Sequence, residues 1–128
     1  AMPGYGGVFQ LWPSSQVWAE GEMDFPEGSY EGSLNLYHHR VGSNPEQNYL
    51  VKSGLGKWTD WHTATIEWLP GSVTYSLDGV VVAKVTDPAQ VASTPHNWVF
   101  QTASHTGGDV PNHVQGHVYI DWVVAYSR

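Results

Sequence analysis

The sequence predicts an all-β fold, a sandwich of antiparallel sheets, on three observations. Apolar residues recur with period two, tight-turn residues fall between the periodic runs, and no stretch of ten or more residues carries a helical apolar stripe. Composition agrees, because 14 Gly and 8 Pro supply turns, 7 Trp and 7 Tyr favour strands, and only 13% of residues are charged. At 128 residues a single domain spanning 1–128 is expected, without internal repeat or linker. Such a chain is long enough to bury roughly two-thirds of its unfolded surface.

Taken in order, "FQLW", "GEMDF" and "SLNLYHH" read as strands, followed by the loop "VGSNPEQN". In "HTATIEWL", Ala64, Ile66 and Trp68 alternate with Thr63, Thr65 and Glu67, so one face is buried. Pro70 and Gly71 then suit a type II turn. Val73, Tyr75 and Leu77 alternate with Thr74 and Ser76, and Asp78-Gly79 gives a two-residue hairpin into "VVVAKV". After the loop "TDPAQVASTPH", "NWVFQT" reads as another strand. Finally, Val118, Ile120, Trp122, Val124 and Tyr126 mark one apolar face of a long C-terminal strand, with Tyr119, Asp121 and Val123 on the other.

Charge narrows the partners. The net charge is −7, and the five basic residues, Arg40, Lys52, Lys57, Lys84 and Arg128, are scattered, so nucleic acid and anionic membranes are repelled. A neutral ligand fits better, and seven Trp exceed what a core of this size needs, which suits stacking on sugar faces. Without cysteine there is no disulfide or thiolate chemistry. No apolar run is long enough to span a bilayer, and "AMPGYGG" lacks the charged and apolar regions of a signal peptide.

Function concentrates in "AEGEMDFPEG", where four of the twelve carboxylates, Glu20, Glu22, Asp24 and Glu27, fall within ten residues. On a strand, Met23 and Phe25 point to one face and Glu22 and Asp24 to the other. Glu27 lies an odd step from Glu22, so a regular strand would drive it into the core, where an unpaired carboxylate costs several kcal/mol. One extra residue as a bulge repairs the parity, and Pro26 is a residue that bulges tolerate. Four effective positions then separate the Glu Cα atoms by roughly 13 Å. Leaning side chains bring the carboxyls toward the roughly 5 to 5.5 Å of a retaining glycosidase. Asp24 between them helps to hold the two pKa values apart. Spacing alone leaves three readings: a solvated acidic strand, a cation site, or catalytic carboxylates. It also leaves a second frame, Glu20, Glu22 and Asp24, which needs no bulge.

The combination of segments resembles glycoside hydrolase family 16. "VWAEGEMDFPEG" is similar to its active-site strand, whose bulged signature Glu-x-Asp-x-x-Glu is met by Glu22, Asp24 and Glu27. "GVFQLWP" resembles the preceding strand, "WHTATIEWLPGSVTYSLDG" the later strand pair, and "GHVYIDWVVAY" the closing strand. The resemblance implies a β-jelly-roll of two curved antiparallel sheets with a polysaccharide across the concave one. It implies Glu22 as nucleophile, Glu27 as general acid/base and Asp24 as the assisting residue, in a retaining, endo-acting hydrolase secreted from the cell. Trp18 matches an aromatic stacking platform, and His62 a family histidine. Parity with Leu34 and Leu36 puts His39, rather than His38, on the cleft face, and the polar Gln101 in an apolar strand is a further substrate-binding candidate. No cofactor is required, although Asp121 matches a position that often holds structural calcium. The family's first several strands have no counterpart before "LWP". The resemblance therefore also implies unpaired edges, so that the chain is either a fragment completed by a second chain or a swapped copy, or a reduced domain that need not turn over.

Overall fold

A computed structural model describes residues 2–105 and 108–127. Its strands are β1 (Tyr5–Pro13), β2 (Glu22–Ser29), β3 (Asn35–His39), β4 (Tyr49–Lys52), β5 (Ala64–Leu69), β6 (Ser72–Leu77), β7 (Val80–Val85) and β8 (His96–Ser104). They form two antiparallel sheets, one ordered β4-β3-β2-β1-β8 and the other β5-β6-β7. This is the expected all-β sandwich.

The smaller sheet is the meander read from alternation. Its second turn has Asp78 at φ 52° and Gly79 at φ 80°, the left-handed pair whose twist matches a tight hairpin. The Asp78 carboxylate accepts the Thr63 N–H at 2.8 Å and an N–H of His62 at 2.7 Å, tying the hairpin to the entry of β5. Val73, Tyr75 and Leu77 of β6 face inward with Ala83 and Val85 of β7, against Met23, Phe25, Leu34 and Leu36 below the larger sheet.

One polar side chain crosses this core. His38 is fully buried; its Nδ1 accepts the Tyr75 hydroxyl at 2.7 Å and its Nε2–H donates to the Gln90 carbonyl at 3.0 Å. Those partners fix the tautomer, and burial holds the pKa below the ordinary histidine value. His38 is thus a neutral strut between the sheets, and its neighbour His39 faces the other way.

Two elements differ from the sequence reading. The four-residue β4 extends the larger sheet beyond β3, where a loop led directly to the next strand. The expected C-terminal strand does not form: residues 108–127 contain no strand, and Tyr119, Trp122 and Tyr126 are 73%, 59% and 90% exposed. Alternation selects which side chains share a face, but a strand also needs an edge to pair with. Among the described residues no edge takes this segment up. The larger sheet also outreaches the smaller one. At its β8 flank Phe9 stacks on Phe100 at 4.5 Å and meets Trp98 at 6.0 Å, with Trp98 still 46% exposed.

Candidate active site

The carboxylates are placed by three neighbouring strands. A short 3-10 turn, Trp18–Glu20, precedes β2 and turns Glu20 away, where it accepts the Thr94 hydroxyl at 2.7 Å. That excludes the frame beginning at Glu20. Along β2, Asp24 pairs with Gln10 and Glu27 with Val8, so Phe25 and Pro26 together oppose the single residue Phe9. The same two oppose Leu36 on the β3 side. The one-residue bulge expected from parity is therefore present, and the Phe25–Pro26 peptide is cis. Met23 and Phe25 enter the core, while Glu22, Asp24 and Glu27 line the opposite face. Gly28 fixes the exit: its φ is 149°, and a Cβ there would meet the Ser33 carbonyl oxygen at 2.6 Å.

Glu22 and Glu27 share an open cleft of about 610 Å³ with Trp18 and Gln101. Gln10, Trp12 and Asn97 line it too, and the sequence reading missed all three. The signal that singled out Gln101, a polar residue inside an apolar strand, was equally available at Gln10, which pairs opposite Asp24.

His39 sits over Asp24. Its Nδ1–H donates to the Pro45 carbonyl at 2.7 Å and its Nε2 lies 3.3 Å from Asp24 Oδ2. The rings of Tyr49 at 5.3 Å, Trp18 at 5.5 Å and Tyr37 at 6.3 Å surround it. The other two candidates lie elsewhere. His62 belongs to the β6–β7 hairpin through Asp78 and does not line the cleft. Asp121 is exposed in the segment without strands, and among the described residues it joins no cluster of potential metal ligands; a lone carboxylate supplies too few oxygens for calcium.

Three acids crowded into one wall titrate late. Burial first, then Asp24, pushes Glu22 up to about 8, while the nearby His39 and the Trp18 N–H beside it favour its charged form. Asp24, more deeply buried, is raised well above the carboxylate range by burial and by Glu27. Glu27 is raised by burial and by Glu22. Glu22 and Asp24 therefore titrate as a pair that retains a proton through neutral pH.

Stability follows with a definite sign. Groups with raised pKa bind more protons folded than unfolded, so their contribution is full below pH 4.5 and is lost as pH rises toward about 8. His38 and Asp78, both lowered, act oppositely and lose stability as pH falls. Comparing wild type with Glu22→Gln isolates the first effect. The variant's thermal midpoint is expected to gain on wild type progressively between pH 4.5 and 8, and a constant difference across that window would contradict the crowding.

Comparisons with known proteins bear on the fold and the family. Among solved structures, a β-glucanase of Bacillus licheniformis superposes with TM-score 0.64 at 16% identity, covering 87% of this chain and 54% of that one. The apo Crh5 transglycosylase gives 0.61 at 20% identity, covering 80% and 43%. Crh5 with bound NAG gives 0.59 at 23% identity, covering 81% and 45%. The chain thus spans about half the length of these structures, which share its jelly-roll glucanase fold. No curated protein sequence matches it. The sequence model described as "Glycosyl hydrolases family 16" matches residues 3–124, a span that includes the bulged strand and all three of its carboxylates. The chain belongs to glycosyl hydrolase family 16.

Proposed function

We propose that this fold carries retaining, endo-acting hydrolysis of a neutral β-linked polysaccharide, best a β-1,3- or mixed-linkage glucan. The observation that supports it most is the bulged strand, which puts Glu22 and Glu27 on one cleft wall with Asp24 between them. Glu22 attacks the anomeric carbon when the shared proton rests on Asp24, and Glu27, whose charged form is disfavoured by burial and by Glu22, protonates the departing glycosidic oxygen. A water then enters, loses its proton to Glu27 and releases the sugar from Glu22. Trp12 and Trp18 offer flat faces to the sugar rings, and Gln10, Asn97 and Gln101 offer hydrogen bonds to hydroxyls. The acidic chain favours an uncharged polymer over a sulfated one. A polymeric substrate also fits a secreted protein.

A second reading, transglycosylation, draws on the fold shared with the Crh5 transglycosylase, since transfer uses the same carboxylates with a sugar in place of water. A third, sugar binding without turnover, draws on the chain's spanning about half of those structures. Incubation with defined gluco-oligosaccharides separates them by product mass. Products all shorter than the donor are expected. Longer products would indicate transfer, and calorimetric binding without any product would leave a binding module.

A further inference from the structure

The hydrogen bonding of His39 is incomplete in a specific way. Because Nδ1 faces the Pro45 carbonyl at 2.7 Å, it must carry a hydrogen, and Nε2 is the nitrogen left to face Asp24 Oδ2 at 3.3 Å. Only a proton or a cation between them holds two such groups at that separation. Asp24 adds a second sign: its side chain is 3% exposed, yet its Oδ1 has no hydrogen-bond donor other than the proton that Asp24 shares with Glu22. Such buried orphans are uncommon in native proteins and ask for a ligand.

Glu22 completes the arrangement. One ligand atom each from Glu22, Asp24 and His39 lies within 4.8 Å of the others. Ligands around tetrahedral zinc, at about 2.0 to 2.2 Å from the ion, stand roughly 3.4 Å apart, so the widest pair closes by at most about 1.4 Å (4.8 minus 3.4). The His39–Asp24 edge already has that spacing. An imidazole whose other nitrogen donates to a backbone carbonyl is the orientation found in metal-ligating histidines. The nitrogen ligand also selects against calcium and magnesium, which prefer oxygen alone.

We propose that Glu22, Asp24 and His39 form a binding site for a transition-metal dication of the zinc class, with the fourth position open to water on the cleft side. The site does not depend on the hydrolase reading, but if that reading holds, a bound ion occupies the nucleophile's oxygen and silences the cleft reversibly. Glu27 is outside the ligand set and contributes only its charge.

The test is a calorimetric titration of Zn²⁺ into the purified chain, in chelator-free buffer and without sugar, so that its outcome is independent of any turnover. Wild type is expected to bind one ion at this site. Both His39→Gln and Asp24→Asn should weaken that binding by at least about tenfold, while Glu27→Gln retains a site. Circular dichroism confirms that each variant is folded, and either ligand variant suffices if the other is not. Absence of zinc binding by wild type would mean that only a proton bridges His39 and Asp24, and would overturn the proposal. Binding unchanged in the folded ligand variant would place the ion on other histidines and would overturn it equally.

Discussion

Replacing Glu22 by glutamine is expected to lower glucan hydrolysis by at least about a thousandfold, because the amide keeps the shape of the side chain but cannot attack the anomeric carbon. The result has an internal control. Glu22 is 7% exposed and its charge is disfavoured there, so the neutral variant should fold at least as stably as wild type, and lost activity cannot be ascribed to lost structure. Glu27→Gln supplies the contrast. On polysaccharide it should also be severely impaired, because the glycosidic oxygen leaves poorly without a proton. On an aryl glycoside with a good leaving group the first step no longer needs the acid, so Glu27→Gln should release aryl alcohol in a burst while Glu22→Gln stays inactive. Rates read by reducing-end release and aryl absorbance would decide it. Equal activity of Glu22→Gln and wild type on both substrates would remove Glu22 from the nucleophile's role.

The second large effect is on stability. Met23 is 0% exposed between Glu22 and Asp24 on the core side of β2, within the cluster formed by Leu36, Val73 and Tyr75. Met23→Ala is expected to cost about 2 to 5 kcal/mol, through lost burial and a cavity that the two sheets cannot close. For a domain of this size the thermal midpoint should fall on the order of 10 °C. Val81→Ala on β7, where Val81 is 59% exposed, should change stability by less than about 0.5 kcal/mol. Thermal unfolding of both variants is the check. A Met23→Ala midpoint within a degree of wild type would mean that the sheets do not pack across this residue.

Much of the arrangement was legible in the sequence where a pattern is local. Alternation placed β5, β6 and β7, and Asp78-Gly79 specified their tight hairpin because few residues other than glycine and asparagine or aspartate accept that backbone conformation. Parity also separated His38 from His39, sending one into the core and the other to the cleft. What failed was information about partners. The strand-like alternation of Val118, Ile120, Trp122, Val124 and Tyr126 is real, but it states nothing about which edge would receive those residues. The four residues of β4 are too few to show a period, and they are held by pairing with β3. His62 was matched by resemblance, whereas its placement is decided by a carboxylate sixteen positions away in the hairpin.

The bulge in β2 has a consequence for how the site tolerates change in length. With Pro26 removed, Glu22, Met23, Asp24, Phe25 and Glu27 would alternate without interruption, the three carboxylates on one side and Met23 and Phe25 on the other. Pro26 is thus the extra residue that the pairing with β1 and β3 accommodates by skipping it, and the same carboxylate face would form without it. A search that fixes the interval between Asp24 and Glu27 reads one spelling of a site that geometry allows to be written in two.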